Sequence, residues 1–229
     1  MSKCISKHLV EIRFKPSPSF LDKRGKIAES LSGKLFDSWS ISENRIDFGN
    51  RDCKYIKGFF SFTNAGFSSV YPQPLEYFVE RAKDFIPRAW IFFGTNEVIR
   101  IGVRSTFLSE VSDFENTVRA YREHFLKLNE EEVKEFGGQL VDVGFPLNFV
   151  MGDKRFNIMT GPMKKAQALI HYGNEEEIPE TAIFLDVDYF KSEFGKGLRL
   201  KEALNFIEEG TQKAREINKL ICNWICGRP

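Results

Sequence analysis

Soft ligands and neutral-pH proton carriers are scarce in this 229-residue chain, which holds four cysteines and three histidines. Cys4, Cys53, Cys222 and Cys226 are scattered along a chain that looks neither small nor secreted, so a disulfide framework is not expected and the thiols are read as reduced. Cys222 and Cys226 share one helix face at a spacing that suits two metal ligands. A zinc site needs two more, and Cys4, Cys53 and the histidines are far off in sequence, so the pair reads as small buried side chains. His8, His124 and His171 are isolated, with no Ser-His-Asp or Cys-His spacing around them that would single out a general base. His124 sits among helix charges and reads as solvated; His171 lies in an apolar run and reads as packed. Neither a P-loop nor a dinucleotide fingerprint occurs. Phe194-Gly195-Lys196-Gly197 is too short to cradle a phosphate alone and reads as a turn. No cofactor is expected.

Net charge is nearly absent too. Lys and Arg number 33 against 32 Asp and Glu, leaving +1. That balance supplies no global field to draw in nucleic acid or an anionic membrane, so neither is favoured as a partner. Apolar runs such as Ala89–Phe93 are too short to cross a bilayer, and Met1–His8 has no apolar signal core. The expectation is a soluble cytoplasmic protein.

Aromatic residues are plentiful. Phe alone accounts for 23 positions, most of them expected in a core. Leu9–Phe14 alternates apolar and charged residues as a half-buried strand does. A helix is expected over Asp22–Phe36 and a strand over Trp39–Phe48. A hairpin (Tyr55–Thr63 with Phe67–Tyr71) and Pro72 follow, then a helix over Leu75–Phe85 ended by Pro87, and a strand over Glu97–Leu108. The second half reads as helices at Asp113–Lys127 and Asn129–Phe136, the latter with capping-box spacing. A hairpin of Leu140–Met151 with Arg155–Thr160, a strand at Ala166–Tyr172, an acidic loop at Asn174–Glu180 and a strand at Ala182–Phe190 come next. Leu200–Cys226 is a long helix whose seam runs through Ile207, Gly210, Ala214, Ile217, Ile221 and Trp224.

This order predicts an α+β fold of antiparallel or mixed sheets, with ferredoxin-like split βαβ units and the C-terminal helix packed on a sheet. Residues 1–110 form a strand-helix-strand unit, and 111–229 a hairpin and long-helix unit in one body with the first.

The one cluster with chemical promise is Arg100-Ile101-Gly102-Val103-Arg104. In a strand Arg100, Gly102 and Arg104 share a face, with Ile99, Ile101 and Val103 on the other. Two guanidiniums about 7 Å apart could clamp a phosphate or carboxylate, with Arg13 joining if its strand is adjacent. Alternatively the arginines form a ladder with Asp186 and Asp188, which alternate with apolar residues in the same way. The Asp186-x-Asp188 pair could also hold a divalent cation, but sequence brings no third ligand to it. Lys54 and Lys57 beside Phe59, Phe60, Phe62 and Phe67 admit a nucleic-acid reading that core packing matches.

Val10-Glu11-Ile12-Arg13-Phe14, then Tyr71 ahead of the Leu75–Phe85 helix, Arg100-x-Gly-x-Arg104, and Leu185-Asp186-Val187-Asp188 before a long terminal helix resemble, in that order, a sporadically distributed family of uncharacterised prokaryotic proteins. The resemblance implies no activity. Its patchy distribution is compatible with an accessory or defence-related role. After the second arginine that family carries an aromatic residue and then Asn, where this chain has Ser105-Thr106-Phe107, so a polar site on that Asn is not carried over. Because catalytic-type residues do not converge, the favoured reading is a non-enzymatic binding or interaction protein, with a protein partner or homo-oligomer. The rivals are an enzyme or regulator taking an anionic ligand such as a nucleotide at Arg13, Arg100 and Arg104, and an RNA-binding module.

Overall fold

Strands with one apolar and one polar face line up into a single sheet whose apolar side lies under helices. A computed structural model of the chain describes residues 3–33, 35–71, 73–93, 98–172, 177–194 and 197–227. Pro72, Glu97, the side chain of His171 and parts of the Asn174–Glu180 loop and Phe194–Gly197 turn lie outside the described residues. The strands are β1 (Cys4–Phe14), β2 (Ser38–Ile41), β3 (Arg45–Asn50), β4 (Cys53–Ser61), β5 (Asn64–Val70), β6 (Val98–Glu110), β7 (Phe145–Met151), β8 (Lys154–Lys164) and β9 (Thr181–Lys191). They pair in the order β2-β3-β4-β5-β1-β6-β9-β8-β7, every pair antiparallel. The fold is therefore α+β, with an open antiparallel sheet rather than a mixed one.

β1 lies at the centre. Val10 faces Phe67 of β5 on one side and Val103 of β6 on the other, and Val103 faces Tyr189 of β9; all four are buried. This inner side is covered by α1 (Ser19–Leu31), α2 (Leu75–Trp90), α3 (Phe114–Tyr121) and α6 (Leu200–Cys226). Much of the phenylalanine lies here: Phe36 packs against Phe48, Phe67 and Phe85 at ring separations of 5.5–6.3 Å. Such pairs add about 0.5–1.5 kcal/mol to area burial.

α6 crosses β6 and β9 closely because Gly210 has no side chain. A Cβ there would lie 2.9 Å from Tyr189 Cδ1 and 3.0 Å from Val103 Cβ. Its buried seam continues from Ile221 to Ile225 rather than Trp224, since the period of about 3.6 residues drifts. Trp224 instead stacks at the surface on the exposed ring of His124, 4.9 Å away.

Several boundaries differ from expectation. Ala166–Tyr172 is not a strand but belongs to a helix, α5 (Lys165–Tyr172). Ala168, Leu169 and Tyr172, spaced for a helix, pack with Ile5, Leu108, Ala182 and Phe184, while Ile170 is 83% exposed. Short apolar runs do not distinguish the two periods. Those four strand residues point to the outer side, so α5 caps one end of the face that the other helices leave open. The Trp39–Phe48 strand is two strands, folded at Ser42 so that Trp39 faces Phe48. α1 stops at Leu31, before Gly33 at φ +85°, and Phe36 enters the core separately. α2 runs through Pro87 to Trp90, because Phe85, Ile86, Ala89 and Trp90 are all buried on one side. α3 starts at its Asp113 cap and passes into a π-helical turn over Arg122–Leu126, ending at Lys127 with φ +54°. The Asn129–Glu132 capping box opens α4 (Glu130–Glu135). β7 begins only at Phe145. Ile99 is exposed, since the β1–β6 register shifts between Arg13 and Phe14 and gives the inner position to Val98.

Candidate functional site

The outer face is a checkerboard set by register. One row across the sheet reads Phe59, Gly66, Glu11, Gly102 and Phe190 on β4, β5, β1, β6 and β9. The next reads Lys57, Ser68, Leu9, Arg104 and Asp188, and the one beyond it Val70, Lys7, Thr106 and Asp186 on β5, β1, β6 and β9. Two cationic groups occupy this face.

The first contains the arginines. Arg104 donates to both oxygens of Asp186, from Nε at 2.9 and 3.1 Å and from Nη2 at 2.6 Å. Arg100 donates from Nη2 to both oxygens of Asp188 at 2.8 Å, and Arg13 forks onto Glu11 at 2.9 and 3.2 Å. Glu11 also accepts from Asn64 at 2.8 Å. Burial alone would raise the Glu11 carboxyl, yet the bonds from Arg13 and Asn64 hold it below the usual carboxylate range. Gly102 makes room for this arrangement: the Arg100 guanidinium lies over it, 4.6 Å from the Phe190 centroid, and a Cβ at 102 would sit 2.8 Å from Nη1. Three cations meet three carboxylates. The space between Leu9, Glu11, Arg13 and Asp188 is about 80 Å³, well below the several hundred of a ligand site. With both oxygens of Asp186 and of Asp188 bonded to arginine, the pair is engaged rather than open to a cation.

The second group lies beside it. A cleft of about 560 Å³ opens between α5 and strands β1, β4 and β5. Lys7, Ser68 and Val70 form its floor, with Lys54, Tyr55 and Lys57 from β4. Tyr71, Ile170, Tyr172 and Ile178 form the wall, and Glu177 at its rim is bonded to Lys3 at 2.8 Å. By register the Lys7 and Lys57 Cα atoms are about 12 Å apart, two strand spacings and one two-residue step, with Ser68 between. Among the described residues no carboxylate pairs with Lys7, Lys54 or Lys57. The Tyr172 hydroxyl is buried without a hydrogen-bond partner among the described residues, and burial pushes its pKa up. Of its lining residues the sequence marks Tyr71, ahead of α2, and Lys54 and Lys57, in the basic and aromatic stretch over β4 and β5. Phe60 and Phe67 of that stretch are core, and Phe59 lies under Arg45 at 4.3 Å.

Other reactive groups are engaged. His8 is buried between Ser105 (2.9 Å) and Ser6 (3.0 Å), and burial pushes its pKa down to about 4. Cys4 is not remote from the terminal helix. Its Sγ lies 3.5 Å from Ser109 Oγ, which donates to Asn218 at 3.4 Å; Cys222 also bonds Asn218, at 3.9 Å. Ser109 and Cys222 line a cavity of about 700 Å³ at the end of α6. Burial pushes the Cys4 and Cys222 thiols up, which keeps them protonated and weakly nucleophilic. Among the described residues no group of three or more His, Cys, Asp or Glu could hold a metal ion, and no helix is long and apolar enough to cross a membrane. No protein-family model matches the chain, and no curated protein matches it.

Proposed function

We propose that the protein is a non-enzymatic binding protein that captures a small anion in the cleft beside α5. The observation that carries this reading is unmatched charge: Lys7, Lys54 and Lys57 converge on one concavity with no carboxylate partner among the described residues. An anion in the cleft is attracted by all three charges at once, most strongly at low salt. The arginines stand in the opposite condition, each already neutralised, which supports reading Arg13, Arg100 and Arg104 as a structural ladder rather than the ligand site. The non-enzymatic part rests on His8, Cys4, Cys222, Asp186 and Asp188 being committed to other partners. Assignment to the sporadically distributed prokaryotic family belongs to the same proposal. In its support, the shared segments fall on three adjacent central strands, β1, β6 and β9, and on α2 and α6, which cover the inner side of the sheet. The sheet order β4-β5-β1-β6, with α1 and α2 in the crossovers, supports a ferredoxin-like reading of residues 1–110.

The test is thermal stabilisation by inorganic tripolyphosphate at low salt. A ligand at a hundred times its Kd adds about 2.7 kcal/mol. Wild type and Arg104→Met should show the shift, and Lys7→Met/Lys57→Met should lose it. Stabilisation that survives the double lysine change, or that vanishes with Arg104, would refute the assignment.

A second reading, a homo-oligomer, is favoured by β7. This edge strand carries no charged side chain and exposes Phe149, Val150 (75%) and Met151. Edges without charge pair with one another, and here only Pro146, near the start of the strand, interrupts the row. Light scattering should then show a dimer that Val150→Lys dissociates; a monomer at all concentrations removes this reading.

A further inference from the structure

The cleft offers more than an anion needs. Its volume of about 560 Å³ falls in the range of sites for drug-sized ligands, far beyond one phosphate group. Beside the lysines it presents flat and apolar surface. Tyr55 is half-buried on the outer face of β4, and among the described residues its ring has no aromatic or cationic neighbour. Its neighbours differ: Phe59 lies under Arg45, and Tyr71 has Lys3 5.9 Å from its centroid. Across the cleft Ile170 of α5 stands 83% exposed. A ligand matching both parts carries several negative charges at one end and a flat, weakly polar ring system at the other.

Resting on the anion-capture reading, we infer that the cleft binds a nucleoside di- or triphosphate, with the base between Tyr55 and Ile170 and the phosphates held by Lys7 and Lys57 over Ser68. Three lysines match the three or four charges of such a phosphate chain better than a single carboxylate or phosphate ester. The stacking of a base on an aromatic ring contributes about 1–3 kcal/mol, which is roughly five- to 150-fold in affinity.

Isothermal titration of the full chain separates the parts. The ligands are the four ribonucleoside triphosphates, inorganic tripolyphosphate, the free nucleosides and a short single-stranded RNA. The expected result is at least one nucleoside triphosphate binding about tenfold or more tightly than tripolyphosphate. Tyr55→Ala should erase that margin, Tyr55→Phe should keep it, and Lys57→Met should weaken both ligands together. If tripolyphosphate binds as well as every nucleotide, or if the margin survives Tyr55→Ala, base recognition is overturned while anion capture stands. If RNA binds more tightly than any mononucleotide, the site is an RNA surface and the inference fails. If no ligand binds wild type, both readings fall. The wild-type arms decide the matter even where a variant does not fold.

Discussion

Arg13, Arg100 and Arg104 share a sheet face with Lys7 and Lys57, only a few residues away along β1 or across the ladder, yet each arginine holds a carboxylate and, among the described residues, neither lysine does. The difference follows from geometry. Asp186 and Asp188 of β9 lie opposite Thr106 and Arg104 of β6, within reach of a planar fork that bonds both carboxylate oxygens. The lysines sit where register supplies Ser68, Val70 and Thr106 instead. A lysine is a compact charge that tolerates solvent until an anion arrives. Basic residues alone therefore do not mark an anion site, and the proposed reading rests on the lysines that register leaves without a partner.

Substitutions should split the two groups. The largest loss is expected for Arg100→Met. Arg100 is 17% exposed, and its removal strands a half-covered Asp188 and uncovers Gly102. Urea titration should show about 2–3 kcal/mol lost, with part recovered in the Arg100→Met/Asp188→Asn pair. A loss under about 0.5 kcal/mol would mean the ladder is not structural.

Next comes acid, which tests the covered side of the sheet. The folded pKa of His8, about 4, lies below its unfolded value near 6.5. Stability from this group is complete above pH 6.5 and falls as the pH drops toward 4, because the unfolded state takes up the proton first. About 1–2 kcal/mol should go between pH 6.5 and 5, and His8→Gln should flatten that slope. An equal slope in the variant would assign the loss elsewhere.

Arg104→Met should cost less, about 1 kcal/mol, since Arg104 is 59% exposed and solvent screens it, although Asp186 is left unpaired at 12%. The smallest effect on folding is expected for Lys57→Met, within about 0.5 kcal/mol, as for a surface residue without a partner. Denaturation midpoints check both. A Lys57 change that destabilised as much as the Arg100 change would erase the distinction between the groups.

Much of the ladder was legible in the residues. Alternation in Leu9–Phe14, Arg100–Arg104 and Ala182–Phe190 put Arg13, Arg100, Arg104, Asp186 and Asp188 on polar faces, because a period of two allows no other placement without a bulge. Where a bulge does occur, at Ile99, the alternation failed. The cleft was not legible. Lys7 comes from β1, and Lys54, Tyr55 and Lys57 from β4, a strand separated from it in the sheet by β5, and strand order is not written in any local pattern. Its wall was hidden as well, since Ala166–Tyr172 is too short for periodicity to tell helix from strand. The phenylalanines of β4 drew attention by number, although Phe60 belongs to the core and the less conspicuous Tyr55 faces the cleft.

The placement of β9 has a consequence for how the chain is made. Strands β1 through β6 are complete by residue 110, although β1 must wait for a partner 97 residues on, where His8 meets Ser105. β7 and β8 then form their own hairpin. Among the described residues no strand bridges the two pieces until β9 enters between β6 and β8 and bonds both. A chain released before Thr181 would carry two raw sheet edges at once, along β6 and β8, each a template for pairing with another copy. Shortened products of this protein should therefore precipitate rather than persist as smaller folded forms.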